Sequence, residues 1–427
     1  MTQWITLEKN EGQIPEKGDL RMDGKDVVIV SAVRTPFGRF DGVMREIPSI
    51  DLGVMVLKEL LNRVGLDPKE VNELYYGTCI PAEYASFLNV PARQITLLAG
   101  FPADNISLTI DRACCSSMTA LRLGYRAIRS GDAEVVVACG SENMGNASLL
   151  ADAKSVRWGS RLGHVTLEDV LFELGYAKKG FNPVALDAGV VALEHGINRE
   201  DQDRWGLLSQ KRWAQAYQSG KFKLGEEILP VEIPRKKGDP IRLEKDEPPR
   251  ETSMEQLAKL KPIYGSPTVT AGNAPGMNSG AAAILIMSTE AAARHGLEPL
   301  ATIRAVDCAA GDPKYMACLP AKAIQKILAR IGLTIDDMDL IEINEAFAAV
   351  TLVSLMILAG MDRKRWLALQ EKTNVNGGAI AIGHPVGASG ARIAMTLMYE
   401  LRRRGGGRGV AAICGGLGQG EAIVLEV

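Results

Sequence analysis

The chain reads as a layered α/β protein, and three observations predict it. Short apolar, β-branched runs alternate with stretches whose apolar residues recur at helical spacing. A similar order of elements returns after residue 300, as expected of two similar halves whose strands and helices pack as layers. Between them, from about Leu149 to Lys261, the texture is charged and solvated, as in an inserted subdomain.

Taken in order, Val27 to Val33 is a compact β-branched run and predicts a buried strand. Asp51 to Val64 carries Leu52, Val56, Leu57, Leu60, Leu61 and Val64 at helical spacing, with Gly65 and Pro68 as stop signals. Glu73 to Thr78 predicts a short strand. Ser116 to Ser130 predicts a helix that begins just after a pair of cysteines, and Ala133 to Cys139 a strand stopped by Gly140. The charged middle holds a helix over Arg199–Tyr217 and a mixed-charge loop from Arg235 to Arg250. Gly280 to Met287 is strand-like again. The second half then offers a strand over Thr302–Val306, a helix over Ala321–Ile331 and a strand over Leu340–Ile343. Gly409–Ile413 and Ala422–Val427 read as a closing hairpin.

Whole-chain properties exclude several classes of function. With 427 residues the chain is long enough for two large domains or three ordinary ones. A net charge of −2 gives no basic surface for nucleic acid or an anionic membrane. Seven cysteines, irregularly spaced and odd in number, argue against a disulfide framework and for a reducing compartment. No C-x-x-C pair occurs and only four histidines are present, so no metal site is expected. Met1 to Lys25 is polar and lacks the features of a leader, and reads as an extension before the first strand. The longest apolar stretch, Ala346 to Met361, is too short to span a bilayer and predicts a buried helix. Together these predict a cytoplasmic protein without a membrane span.

Four separated segments carry candidate chemistry: Thr109-Ile-Asp-Arg-Ala-Cys-Cys-Ser-Ser-Met-Thr-Ala120, Asn344-Glu-Ala-Phe-Ala348, Gly383-His-Pro-Val-Gly-Ala-Ser-Gly390 and Cys414-Gly-Gly-Leu-Gly-Gln-Gly420. Together they offer two thiols, an amide and an imidazole, a set suited to acyl transfer through sulfur. A thiolate is a strong nucleophile and a thioester exchanges readily, but a free thiol with a pKa of ~8.5 needs activation. Cys114 lies just before a helix start, where the macrodipole and free N–H groups favour the thiolate. By composition alone Cys115 is an equal candidate. His384 stands among glycines and could accept the thiol proton, or simply satisfy a turn carbonyl. The glycine-rich Gly415 to Gly420 lacks the strand–loop–helix context of a phosphate loop. Backbone N–H groups near Gly416 and at Cys114 would suit an oxyanion hole better.

On these motifs, and on Ser31-Ala-Val-Arg-Thr-Pro-Phe-Gly38, Asn198-Arg-Glu-Asp-Gln-Asp203, Leu257-Ala-Lys-Leu-Lys-Pro262 and Thr268-Val-Thr-Ala-Gly-Asn273, the sequence from Val27 to Val427 resembles the thiolases. These are acyl-CoA C-acyltransferases of the acetyl-CoA acetyltransferase and 3-ketoacyl-CoA thiolase kind. The resemblance implies a five-layered α/β/α/β/α fold of two similar halves with an inserted loop domain. It divides the chain into an extension (1–25), an N-terminal half (26–148 and 266–299), a loop domain (149–265) and a C-terminal half (300–427). It also implies roles. Cys114, rather than Cys115, would be acylated; His384 would activate it and help bind the thioester oxygen. Asn344 would hold a water in that first oxyanion hole, and Cys414 would move a proton at the α-carbon or the CoA thiol. The N–H of Gly416 would join that of Cys114 in a second hole. Met316, Phe347 and Ala274 would line the substrate site, with Arg250 near the adenine. CoA and acyl-CoA would be substrates, no cofactor would be needed, and a homodimer or homotetramer acting in fatty acid metabolism is implied.

The sequence departs from the family around CoA. The usual Ala-Gly-Asn-Ala-Ser-Gly reads Ala271-Gly-Asn-Ala-Pro-Gly276, so Pro275 lacks a hydroxyl and an N–H. Gly189 stands where an acid is expected, Met316-Ala-Cys-Leu-Pro320 replaces a glycine-rich turn, and Asn278-Ser-Gly280 replaces Asn-Asp-Gly. These changes predict altered acyl and pantetheine walls around unchanged chemistry.

Overall fold

The structure, a computed structural model, describes residues 26–80, 89–159, 162–171 and 179–427. The expected extension over residues 1–25 lies outside the described residues. Nine strands form the body of one large mixed sheet: β1 (Val27–Arg34), β2 (Glu73–Gly77), β3 (Ile106–Ile110), β4 (Val135–Asn143), β5 (Asn278–Ser288), β6 (Ala301–Ala310), β7 (Leu340–Ile343), β8 (Arg408–Gly415) and β9 (Gln419–Glu426). Their order across it is β7-β8-β9-β6-β1-β5-β4-β2-β3.

This order repeats about its centre. From β1 outward the partners run antiparallel to β5, antiparallel to β4, parallel to β2 and parallel to β3. From β6 outward they run antiparallel to β9, antiparallel to β8 and parallel to β7. The place that β3 fills in the first half is held in the second by a single parallel bridge, Ile341 to Thr373. The two half-sheets meet edge to edge where Val27–Ile29 of β1 pairs with Ala301–Ile303 of β6. The helices follow the same repeat. In the first half α1 (Ser49–Asn62), α2 (Pro91–Ala99) and α3 (Ser116–Ser130) alternate with the strands. After α4 (Val184–Glu194) and α5 (Arg199–Gln218) of the middle segment, the second half repeats the pattern with α6 (Leu319–Arg330), α7 (Ala348–Leu358) and α8 (Ser389–Arg403).

Both faces of the strands are covered, so alternate residues feed different cores. In β5, Ala281, Ala283, Leu285 and Met287 join Leu57 and Leu60 of α1, whereas Ala282, Ile284 and Ile286 join Met118 and Leu121 of α3. In β9, Ile423 and Leu425 face the same central core, which also holds Ile393 and Leu397 of α8; Ala422 and Val424 face Ile324 and Ile327 of α6. The layers are therefore outer helices, half-sheet, the central pair α3 and α8, half-sheet, outer helices. The buried helix expected near Ala346 is α7, and no described helix is long and apolar enough to cross a membrane.

Three elements differ from the sequence reading. The strand expected to stop at Gly140 continues to Asn143, because Gly140 serves a close approach: a Cβ there would meet the Gly387 carbonyl. Edge strand β3 gave no run of apolar residues, since Ile106 and Leu108 lie on its exposed face. Helix α8 starts inside a glycine-rich segment, which hid its N-terminus. The charged middle segment is also less solvated than its composition suggests. Trp205 and Ser209 of α5 are buried and donate at 2.9 and 2.7 Å to Glu345, on the loop after β7.

Candidate active site

The four motif segments converge where the central helices begin. Helix α3 follows Cys114 and α8 follows His384, and the two helices pack together in the middle layer. Gly390 makes their approach possible: a Cβ there would lie 2.8 Å from Met118 Cβ and closer still to Met118 N. Asn344 directly follows β7, which pairs in parallel with β8, the strand that carries Cys414 near its end.

Cys114 follows Ala113, which is held at φ 50° with its N–H bonded to Asp111 Oδ1 at 3.0 Å. A non-glycine residue in that region is uncommon, and here it turns the chain into α3. Two N–H groups, its own and that of Gly416, favour the anion of the Cys114 sulfur. The adjacent thiol points elsewhere: Cys115 is fully buried in the central core and donates to the Ile413 carbonyl at 3.7 Å. Around Cys114 lies an apolar wall drawn from several segments, with Ile80, Met144 and Val386 buried and Val170, Leu171 and Met277 packed on them.

Burial governs the ionisation of both thiols. The helix start was expected to favour a Cys114 thiolate, but burial pushes the thiol up to about 12 against the two N–H groups that favour the anion. The second thiol, Cys414, is also raised, by burial and by the neighbouring Cys114. Burial therefore favours the neutral thiols, which suits an attack in which the Cys114 proton leaves as the sulfur bonds to carbon.

His384 is buried and also neutral, its pKa pushed down to about 3 by burial and by the nearby Arg392 cation. Its tautomer follows from its partners. Ser389 Oγ donates its single hydrogen to the Pro385 carbonyl at 2.8 Å, so it must accept from His384 Nδ1–H at 2.6 Å. Nε2 is left with its lone pair and faces Asn344 Nδ2 at 3.4 Å. The amide is oriented by its other end, because Asn344 Oδ1 accepts from Arg392 Nη2 at 3.3 Å and a guanidinium can only donate. The His384 backbone N–H is fixed to Asn278 Oδ1 at 2.8 Å.

The remaining candidates divide in two. Ala274 and Met316 are buried and Phe347 is half-buried in the core cluster that also holds Cys414. Arg250 is exposed and apart from them. Its N–H bonds Gln210 Oε1, its Nη2 bonds the Ala271 carbonyl at 2.5 Å, and it lines a cavity of about 490 Å³ with Trp213, Tyr217 and Lys245. Gly189 has a packing reason, since a Cβ there would meet Ser266 Oγ and come within 2.9 Å of Thr268 Oγ1. No acidic side chain fits at that crossing.

Sequence reasoning missed Ser389, Arg392 and Glu142. Glu142 is the one charged residue in the buried strand β4, near its end, and that placement was the available signal. Its buried carboxylate accepts from Thr78 Oγ1 (2.9 Å) and from the N–H groups of Cys79 (2.9 Å), Ile80 (3.0 Å) and Gly387 (2.9 Å). It thereby ties the wall beside Cys114 to the turn after His384. Burial pushes its pKa up to about 7 despite those donors.

Comparison with known proteins gives one answer along the whole chain. Residues 27–290 match the family model for the thiolase N-terminal domain and residues 297–427 that for the thiolase C-terminal domain. An acetyl-CoA acetyltransferase of Cupriavidus necator is 43% identical over 404 residues, which is 94% of this chain and 99% of that protein. One from Syntrophomonas wolfei is 41% identical over 407 residues with the same coverage. Human mitochondrial 3-ketoacyl-CoA thiolase in complex with CoA superposes with a TM-score of 0.86 at 37% identity, covering 95% of this chain and 99% of that one.

Proposed function

Because this chain belongs to the thiolase family, we propose that it is an acyl-CoA C-acyltransferase that forms or cleaves a 3-ketoacyl-CoA in two half-reactions. The observation that carries the reading is the convergence of Cys114, whose anion the Gly416 N–H favours, with the His384–Asn344 pair at the starts of α3 and α8.

In the first half-reaction the Cys114 sulfur attacks the thioester carbonyl of an acyl-CoA. Its proton moves to His384 Nε2, which the Nδ1–H···Ser389 bond keeps as the basic nitrogen and which accepts a long bond from Asn344 Nδ2. The oxyanion forms against the N–H groups of Cys114 and Gly416, and CoA departs as a thiol with the proton that Cys414 gives up, which leaves Cys414 a thiolate. In the second half-reaction the Cys414 thiolate takes an α-proton from a second acyl-CoA. Its enolate oxygen rests on Nε2 of His384, now protonated, and on a water held by Asn344. The carbanion then attacks the S-acyl group. Thiolysis runs the same steps backwards. Burial serves this chemistry: in a dry site the fixed N–H donors stabilise developing negative charge far more than they would in water.

The reading needs no metal or prosthetic group, CoA being a substrate. Ala274, Met316 and Phe347 would line the thioester site and Arg250 the nucleotide end of CoA. A role in fatty acid metabolism and a cytoplasmic location accompany it. A homodimer or tetramer is supported by edge strand β3, whose open edge and exposed Ile106 and Leu108 offer a strand-pairing surface. A single-species monomer in sedimentation would dispose of that last point.

Intact-mass measurement after mixing with acetyl-CoA tests the central reading. We expect an acetyl adduct on Cys114 that is absent in Cys114→Ala. No adduct across short, long and branched acyl-CoAs would overturn it.

A further inference from the structure

Two arginines are wholly buried in the middle of the molecule, and they are satisfied very differently. Arg34 donates from Nε to Glu227 at 2.7 Å, from Nη1 and Nη2 to Asp246 at 2.7 and 3.1 Å, and to the Thr35 carbonyl at 3.2 Å. That is the pattern of a structural cation, paired and hydrogen-bonded on all sides. Arg392, on the first turns of α8, makes one hydrogen bond, from Nη2 to Asn344 Oδ1. Its Nε and Nη1 have no hydrogen-bond partner, and its nearest carboxylate oxygen, Glu342 Oε2, stands 3.8 Å away without a donor of its own. A guanidinium has five N–H donors, and leaving most of them unmet in a dry interior is costly. A fold that needed only packing here would be better served by an apolar side chain.

We propose that Arg392 is a positioning residue for acyl transfer: its buried charge polarises the Asn344 amide and holds its Nδ2–H against His384 Nε2. The inference rests on the function proposed above. A cation on Oδ1 draws electron density from the amide, so Nδ2–H becomes a stronger donor where negative charge develops on substrate oxygen. Burial, and after it the same cation, favours the neutral ring before the Cys114 proton reaches Nε2. The charge of Arg392 is opposed most by burial and also by Arg34 of β1, and it is favoured by Glu342, Glu345 and Glu227. Glu142, Asp111 and the thiols of Cys79, Cys114 and Cys414 are further ionisable groups of the site.

The test uses Arg392→Met and Arg392→Lys in the full chain, with melting temperatures to confirm folding. Thiolysis is followed with acetoacetyl-CoA and CoA from pH 5 to 9. For Arg392→Met we expect kcat to fall about 10- to 100-fold, less than the loss of an oxyanion donor itself, with KM changed less than about threefold. The acid limb of kcat/KM should move to higher pH, because His384 becomes easier to protonate. Arg392→Lys should recover most of kcat and return the acid limb to its wild-type position. A folded Arg392→Met with unaltered kcat and acid limb, or an Arg392→Lys no better than Arg392→Met, overturns the proposal. A wild-type measurement stands independently should the Met variant not fold. Nitrogen NMR of labelled histidine should show one ring staying in the neutral Nδ1–H form from pH 8 to 5, and titration of all four rings near ~6.5 would overturn it. Failure of wild-type Cys114 to become acylated would instead remove the functional reading.

Discussion

Replacing Gly390 by Ala should damage catalysis far more than folding. Gly390 is the second residue of α8, where the helix crosses the start of α3. The added Cβ would lie 2.8 Å from Met118 Cβ and 3.1 Å from its Cα, and closer still to Met118 N, whereas real Cβ contacts do not come under 3.0 Å. Two of these atoms are backbone, so no side-chain rotation relieves the clash. Carbon atoms settle at about 3.5–4.0 Å, so the two helix starts must separate by roughly 0.7 Å or more. Such overpacking costs about 1–3 kcal/mol, partly offset by up to about 1 kcal/mol from the better helix propensity of Ala. The net is small beside a global stability of roughly 5–15 kcal/mol, so the variant should fold. The site has no such reserve, because α3 carries the nucleophile and α8 carries Ser389 and Arg392, which orient His384 and Asn344. A misplacement of about 1 Å costs on the order of 100-fold, equivalent to about 2.7 kcal/mol in the barrier. The assay is the rate at which acetyl-CoA acylates Cys114, read by quenched-flow mass spectrometry beside a thermal melt. A Gly390→Ala variant that acylates at the wild-type rate would refute the reasoning, as would one that loses activity only because it has unfolded.

Other perturbations probe single parts of the site. Ser389→Ala removes the acceptor that fixes the His384 tautomer, so kcat should fall about 10- to 100-fold with little change in melting temperature; a wild-type kcat would show the tautomer is held otherwise. Cys414→Ala should still be acylated at Cys114 yet fail to condense a second acetyl-CoA, and normal condensation would remove its proton-transfer role. Glu142 holds a proton up to about pH 7 in the folded chain, but an unfolded glutamate releases it near ~4.3. The folded state therefore loses stability as pH rises between those values, and the loss is complete above about 7. The melting temperature of Glu142→Gln, relative to wild type, should accordingly rise from pH 5 to 8. A difference that is flat, or that grows towards acid, would contradict this.

The sequence by itself determined the order of elements and the pieces of chemistry. Periodicity located β1, α1, α3, α5, α7 and the closing hairpin to within a few residues, because each buries a face whose spacing is written locally. The motifs around Cys114, Asn344, His384 and Cys414 were equally legible, and so was the family they resemble. What only the tertiary structure decided depends on neighbours distant in the chain. The state of the Cys114 thiol was misjudged because a helix start is visible in sequence whereas desolvation is not, and in this site desolvation is the larger effect. The basic nitrogen of His384 is chosen by Ser389, and the orientation of Asn344 by Arg392, a helix residue 48 positions away. Gly189 shows the same division. Its departure from the expected acid was plain in the sequence, but the reason, a helix pressed against Ser266 and Thr268, exists only once the chain is packed. Local patterns set which groups the chain carries; burial and contact across the fold set their charge, tautomer and reach.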